Sequence, residues 1–204
     1  MIKRIALGLG LLLVVLGLAI PTHDSFAAET PSVSSATLAK TTITKTSGLT
    51  KTAKLKEGQL IAKIRIPRFG SKYERGIYEG VSVPRVLNTL GIGHYPETQL
   101  PGEEGNMAIA GHRFGNGGPM LKIDQFQPGD HVKVETADAI YTYKWLQTKI
   151  VLPKEVGVIH RVPVGLKDPE KNGHYLTLTS CTPVHINTHR IIAWFSLEKT
   201  EPKN

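Results

Sequence analysis

The chain has 204 residues, 40% of them hydrophobic and 21% charged, which suffices for one ordinary domain with a packed core and excludes global disorder. Half of its net charge of +8 falls in residues 1–58, which hold seven basic and three acidic side chains. The rest of the chain has no Lys/Arg stripe interleaved with aromatic side chains. The composition therefore predicts no nucleic-acid partner.

The N-terminus has the pattern of an export signal. Lys3 and Arg4 precede residues 5–20, an apolar run without a charged side chain. This run is longer than the usual apolar core of a signal peptide and shorter than the ~20 residues of a comfortable membrane span. Small residues at 25–28 would suit a signal peptidase, so residues 1–28 are predicted to be either a cleaved signal peptide or a membrane anchor. Both alternatives place the rest of the chain outside the cytoplasm.

Residues 29–58 are rich in Thr, Ser, Ala and Lys and have no aromatic side chain. Such a segment buries too little apolar surface to offset its ordering entropy, so it is predicted to be a flexible linker. Residues 59–204 then form a single domain. Alternating apolar and basic side chains at 60–66 predict its first strand, which Pro67 ends.

The remaining elements of the domain follow in short segments. Mixed apolar spacing predicts a short helix within 81–90 and a helical turn within 119–126. A hairpin turn is predicted at 136–138, and further strands at 106–111, 131–135, 139–145, 150–152, 175–179 and 190–195. Seven or eight short strands with few helices predict an all-β barrel or sandwich.

Cys181 is the only cysteine, so no internal disulfide can form. It follows an alternating strand, and Pro183 ends that strand shortly afterwards. His112 also ends an apolar strand, and Arg190 begins the strand after Cys181. A short connection between antiparallel strands would bring Arg190 beside Cys181. A thiol, an imidazole and a guanidinium at three strand ends form a candidate site for thiol acyl transfer.

These motifs resemble the sortase family. Residues 177–181 (TLTSC), the later Arg190 and the upstream His112 match its signature of a Thr-Leu-x-Thr-Cys strand, an Arg on the next strand and a His. Residues 64–67 (IRIP), 93–96 (GHYP) and 110–113 (AGHR) are most similar to class E sortases of actinobacteria. One departure is Ser180, where the family usually has Thr. The segment before residue 59 has no Asp-Pro-aromatic lid, which favours wall anchoring over pilus assembly.

The resemblance implies an eight-stranded closed β-barrel with one or two short helices, and a transpeptidase with Cys181 as nucleophile, His112 as acid/base and Arg190 as cationic stabiliser. The enzyme would cleave a C-terminal Leu-Pro/Ala-x-Thr-Gly sorting signal of secreted proteins between Thr and Gly. The acyl group would pass to a lipid-linked peptidoglycan-precursor amine. Tyr95, Thr179 and Ser180 are the candidate substrate contacts, although Tyr95 could equally be an ordinary surface aromatic.

The same resemblance implies a cofactor-free and metal-free monomer at the outer face of a Gram-positive cell membrane. Other cysteine transpeptidases of the wall, a pilin-polymerising sortase and a non-catalytic exported binding module remain alternatives. His94, His185 and His189 lie near the motifs and compete with His112 for the imidazole role. Arg113 could be confused with Arg190, but the expectation is that it is solvated.

Overall fold

The computed structural model describes residues 54–203. The predicted signal or anchor (1–28) and residues 29–53 of the predicted linker lie outside the described residues. Leu55, near the end of that linker, packs against the core of the domain. Glu57 forms an ion pair with Arg85 at 2.6 Å. The last linker residues therefore contact the domain. No helix in the described part of the chain is long and apolar enough to cross a membrane.

Eight strands close into a barrel in the order β1-β2-β3-β4-β7-β8-β6-β5, which confirms the predicted fold. The strands are β1 (Leu60–Arg65), β2 (Glu74–Glu79), β3 (Ile92–His94), β4 (Gly105–Gly111), β5 (His131–Glu135), β6 (Ala139–Val151), β7 (His174–Thr182) and β8 (His189–Pro202). Helical structure among residues 54–203 is limited to a π-helical turn and three 3₁₀ turns, at Val83–Leu87, Pro67–Phe69, Ile123–Gln125 and Val156–Ile159. One or two short helices were expected.

Three strands differ from the sequence prediction. The strand predicted at 150–152 belongs to β6, which pairs with β8 from Ala139 to Val151. β2 and β3 were not predicted, because each is interrupted by glycine. In β3 a Cβ atom on Gly93 would lie 2.1 Å from the carbonyl oxygen of Gly80, so only glycine allows this close approach of two backbones.

The core forms because alternate strand residues point into the barrel. Inward positions are fully buried and apolar on several strands, as at Ile64, Met107, Ile109, Val132, Val134, Leu176 and Leu178. A second apolar cluster lies outside the barrel wall, where the β6–β7 connection (152–173) packs against Ile192 and Trp194. The Trp194 indole donates to the carbonyl oxygen of Val158 at 3.1 Å. This connection forms a raised wall beside β7 and β8.

Candidate active site

Cys181 and Arg190 are direct neighbours across two antiparallel strands. The β7–β8 register pairs Cys181 with Arg190, and paired residues present their side chains on the same face of a sheet. Because Leu176 and Leu178 point into the barrel, the odd-numbered positions of β7 point outward. Cys181 and Arg190 therefore share the outer face, as the sequence predicted.

The register also brings His112 to this place. β4 and β7 are parallel neighbours, with Ala110 paired to Thr179, and two further residues reach His112 and Cys181. Ile109 points into the barrel, so the even-numbered positions of β4 point outward. His112, which directly follows β4, thus comes to the level of Cys181 on β7 and Arg190 on β8. Strands are spaced about 4.8 Å apart, so both partners are within side-chain reach of Cys181.

Two asparagines orient the imidazole, and neither was predicted from the sequence. His112 Nε2 lies 2.8 Å from Asn88 Oδ1, and Asn116 Nδ2 donates to the same oxygen at 3.1 Å. An amide oxygen only accepts, so Nε2 is the nitrogen that carries a proton and donates. The lone pair of the neutral ring is then on Nδ1. Asn88 directly follows the π-helical turn, which covers the outer face of β4 near Ala110.

On the inner face, buried polar side chains form hydrogen bonds between the ends of these strands. Arg113 is 6% exposed, so the expectation that it is solvated was wrong. Its guanidinium donates to Thr182 Oγ1 at 2.9 Å and pairs with Asp124 Oδ2 at 2.8 Å. Ser180 Oγ donates to the carbonyl oxygen of Gly111 at 2.8 Å. Ser180 thus points away from the outer face and joins β7 to β4.

The other histidines near the motifs are placed differently. His94 is 1% exposed and fully hydrogen-bonded inside the barrel wall. His189 pairs with Thr182 and therefore lies on the opposite face of the sheet from Cys181. The ring of His185 lies 4.0 Å from that of Phe114, which joins the loops after β7 and β4. His112 is the imidazole that the strand register places beside the thiol.

A groove runs along the outer face from Arg190 and Thr179 to Tyr95. The β6–β7 connection forms its other side. The lining is mainly apolar, with Val151, Leu152, Pro153, Val156, Val158, Ile159 and Ile192 beside a single carboxylate, Glu155. The groove can take an extended peptide with an apolar side chain and leads to the cationic end beside Cys181.

Tyr95 and Thr179, both predicted as substrate contacts, are joined within this groove. Tyr95 Oη lies 3.2 Å from Thr179 Oγ1, and Thr179 Oγ1 donates to the carbonyl oxygen of Ile109 at 3.2 Å. Since the threonine hydroxyl has one proton, Tyr95 is the donor to Thr179. The lone pairs of the Tyr95 oxygen are then free to accept a hydrogen bond from a molecule in the groove.

The loop that follows His112 is anchored by Tyr73. Burial raises the pKa of Tyr73 to about 12, so its hydroxyl stays protonated and donates to the carbonyl oxygen of Pro119 at 2.6 Å.

Within residues 54–203, no group of three or more His, Cys, Asp and Glu side chains is arranged to hold a metal ion. The reactive groups that this site offers are its thiol, imidazole and guanidinium.

Comparisons with known proteins agree with this geometry. The sortase-domain family model matches residues 64–198, so the chain belongs to the sortase family. It is 36% identical to Sortase SrtE1 of Streptomyces coelicolor over 155 residues, which cover 72% of this chain and 43% of that protein. Sortase SrtE2 of the same organism is 37% identical over 134 residues, which cover 61% of this chain and 51% of that protein. The chain thus matches about half the length of these relatives.

Solved structures lead to the same class. The crystal structure of Sortase E1 from Streptomyces coelicolor, with a tripeptide in the active site, has a TM-score of 0.65 and 35% identity. That match covers 71% of this chain and 91% of the solved one. Sortase E from Streptomyces avermitilis has a TM-score of 0.64 and 34% identity, and the match covers 72% of this chain and 93% of the solved one. The predicted similarity to class E sortases is confirmed.

Proposed function

We propose that this sortase is a cysteine transpeptidase that cleaves a C-terminal Leu-Ala/Pro-x-Thr-Gly signal between Thr and Gly. It then transfers the Thr carbonyl to an amine of a lipid-linked peptidoglycan precursor. The observation that carries this proposal is the placement of Cys181, His112 and Arg190 at one level of β4, β7 and β8. The apolar groove supports it, because the groove leads an extended peptide to that point.

In the first step the Cys181 thiolate attacks the Thr carbonyl carbon and forms a C–S bond. The resulting oxyanion lies towards the Arg190 guanidinium, which keeps its charge at any working pH. The C–N bond then breaks, and protonated His112 gives its proton to the leaving Gly amine. A thioester and a Gly-terminated fragment are the products, and His112 is left neutral.

In the second step the acceptor amine attacks the thioester carbon and passes a proton to His112. The C–S bond breaks, the thiolate is restored and an amide bond joins the protein to the acceptor. Asn88 keeps Nε2 as a donor, so Nδ1 is the nitrogen that exchanges protons in both steps. Thiolate and imidazolium are regenerated together, which closes the cycle without a cofactor.

The Tyr95 hydroxyl favours Ala over Pro at the second position of the signal. Its oxygen donates to Thr179 and keeps free lone pairs on the groove side. An Ala residue has a backbone N–H that can donate to this oxygen, whereas Pro has none. A Pro peptide leaves the hydroxyl without this partner, at about 0.5–1.5 kcal/mol for one hydrogen bond.

The N-terminal sequence pattern indicates where the enzyme works. Residues 1–28 would export the domain and could hold it at the outer face of a Gram-positive cell membrane, and residues 29–58 would supply the reach to its substrates. The substrates would be secreted proteins that carry the signal at their C-terminus. We propose that the enzyme works as a monomer, since one chain supplies all three catalytic side chains.

Incubation with a fluorogenic Leu-Ala-x-Thr-Gly peptide under reducing conditions tests the proposal. We expect cleavage between Thr and Gly and a thioester mass on the peptide that contains Cys181, increased when no acceptor amine is added. Cys181→Ala is the matched control and should bind the peptide without cleaving it. Binding without cleavage by the wild-type protein would support a non-catalytic module and would refute the proposal.

A further inference from the structure

His94 is a buried histidine with both ring nitrogens engaged. It is 1% exposed and lies on β3, where it is the direct neighbour of Glu79 on β2. Nδ1 is 2.8 Å from Glu79 Oε2, and that carboxylate is itself 6% exposed. Nε2 is 2.9 Å from the carbonyl oxygen of Gln99 and 3.1 Å from Thr98 Oγ1. A buried polar pair of this kind is costly unless every atom is satisfied.

The hydrogen-bond partners determine where the protons are. The carbonyl oxygen of Gln99 only accepts, so Nε2 must carry a proton. The short contact between Nδ1 and Glu79 needs a second proton, which either group can hold. His94 and Glu79 together therefore form a neutral buried unit with one shared proton. Both ring nitrogens and Glu79 Oε2 are hydrogen-bonded, so the pair is a rigid support for what lies beside it.

The pair of His94 and Glu79 holds the turn that begins with Tyr95. The Thr98 hydroxyl donates to the carbonyl oxygen of Tyr95 at 2.8 Å. It also accepts from the backbone N–H of Ala108 on β4 at 3.1 Å. The remaining acceptor capacity of Thr98 faces the Nε2 proton of His94. Thr98 therefore links His94, the backbone of Tyr95 and β4, while the Tyr95 ring reaches outward to Thr179.

We propose that His94, held by Glu79 and acting through Thr98, is a positioning residue that fixes the Tyr95 hydroxyl in the groove. It thereby sets the preference for the second residue of the sorting signal. This inference rests on the proposed function and adds residues that do not contact the peptide themselves. His94 acts by geometry, because it lies inside the barrel wall and Tyr95 is the next residue along the chain.

Paired substitutions separate positioning from general stability. His94→Asn keeps an amide donor for Glu79 but removes the contact to Thr98, and Thr98→Val removes the hydroxyl at similar volume. Glu79→Gln and Thr98→Ser are the matched variants that preserve the hydrogen bonds, since a Gln amide can donate to Nδ1. The exposed pair of His131 and Glu198, at 2.8 Å, offers a control of the same chemistry in His131→Asn.

The measurement is the ratio of kcat/KM for a Leu-Ala-x-Thr-Gly peptide to that for the Leu-Pro-x-Thr-Gly peptide. We expect His94→Asn and Thr98→Val to lower this ratio about three- to tenfold, the range for one lost hydrogen bond, mainly through KM of the Ala peptide. Glu79→Gln, Thr98→Ser and His131→Asn should keep it within about twofold of wild type. Adding Thr98→Val to Tyr95→Phe should lower it no further.

Equal losses of kcat/KM for both peptides, or additive effects in the double variant, would overturn the inference and leave His94 a purely structural residue. A wild-type enzyme that cleaves both peptides without preference would also overturn it. If the wild type cleaves neither peptide, the proposed function itself fails, and this is seen before any variant is made. Independently of activity, the NMR signals of the Tyr95 ring should shift in His94→Asn and stay unchanged in His131→Asn.

Discussion

Removal of the Asn88 side chain tests how the imidazole of His112 is oriented. In Asn88→Ala the Nε2 proton loses its acceptor at 2.8 Å, and Asn116 loses the same oxygen at 3.1 Å. One lost hydrogen bond of about 0.5–1.5 kcal/mol corresponds to a fall of about two- to tenfold in kcat. KM should change little, because Asn88 does not line the groove. The assay is steady-state cleavage of the fluorogenic peptide.

Asn88→Asp tests the same orienting role through the pH dependence of kcat/KM. A carboxylate keeps an acceptor for Nε2 and stabilises the imidazolium form, so His112 retains its proton to higher pH. The alkaline limb of the profile of kcat/KM should move up by about half a pH unit, the value for a solvent-exposed ion pair. Asn116→Ala, which leaves the contact between Asn88 and His112 in place, is the matched control. Unchanged kcat in Asn88→Ala and an unmoved limb in Asn88→Asp would refute the orienting role.

Three further predictions concern other parts of the molecule. Arg190→Ala should lower kcat about 10²–10³-fold, with Arg190→Lys less severe because charge is kept, and wild-type turnover in either assay would contradict this. Arg113→Met leaves the Thr182 hydroxyl without its donor and should lower the urea-unfolding free energy by about 1–3 kcal/mol, whereas under 0.5 kcal/mol would contradict it. The Arg68 guanidinium lowers the pKa of Asp130. The ion pair of Arg68 and Asp130 therefore stabilises the fold above about pH 4, and this stabilisation is lost as pH falls through the lowered pKa. Asp130→Asn should therefore destabilise at neutral pH, and a difference in unfolding midpoint that stays the same from pH 7 down to pH 2 would contradict this.

The residues proposed for catalysis could be picked out because each of them stands at a strand end with a local signal. Alternating side chains before Cys181, a proline soon after it and a short connection to Arg190 are all visible in the sequence. The barrel was predictable for the same reason, since period-two alternation is a local property of a strand. β3 was not predicted because its glycine allows a close approach to another segment, Gly93 against Gly80.

The supporting residues needed the tertiary structure. Asn88 lies 24 positions from His112 and has no motif of its own, and the covering of β4 by the π-helical turn alone brings them together. Arg113 was expected in solvent because it is a charged residue that flanks His112, yet β7 and Asp124 enclose it.

The sequence by itself determined most of the strands, the thiol, the imidazole, the guanidinium and the family, because alternation, turn residues and motif spacing are encoded over a few neighbouring positions. Closure of the barrel determined how these residues are placed relative to one another. It set the parallel register of β4 on β7 that aligns His112 with Cys181, and it turned Ser180 inward and Tyr95 outward. It also enclosed the pair of His94 and Glu79. These contacts depend on which strands become neighbours, and pairing between distant segments is a property of the whole chain.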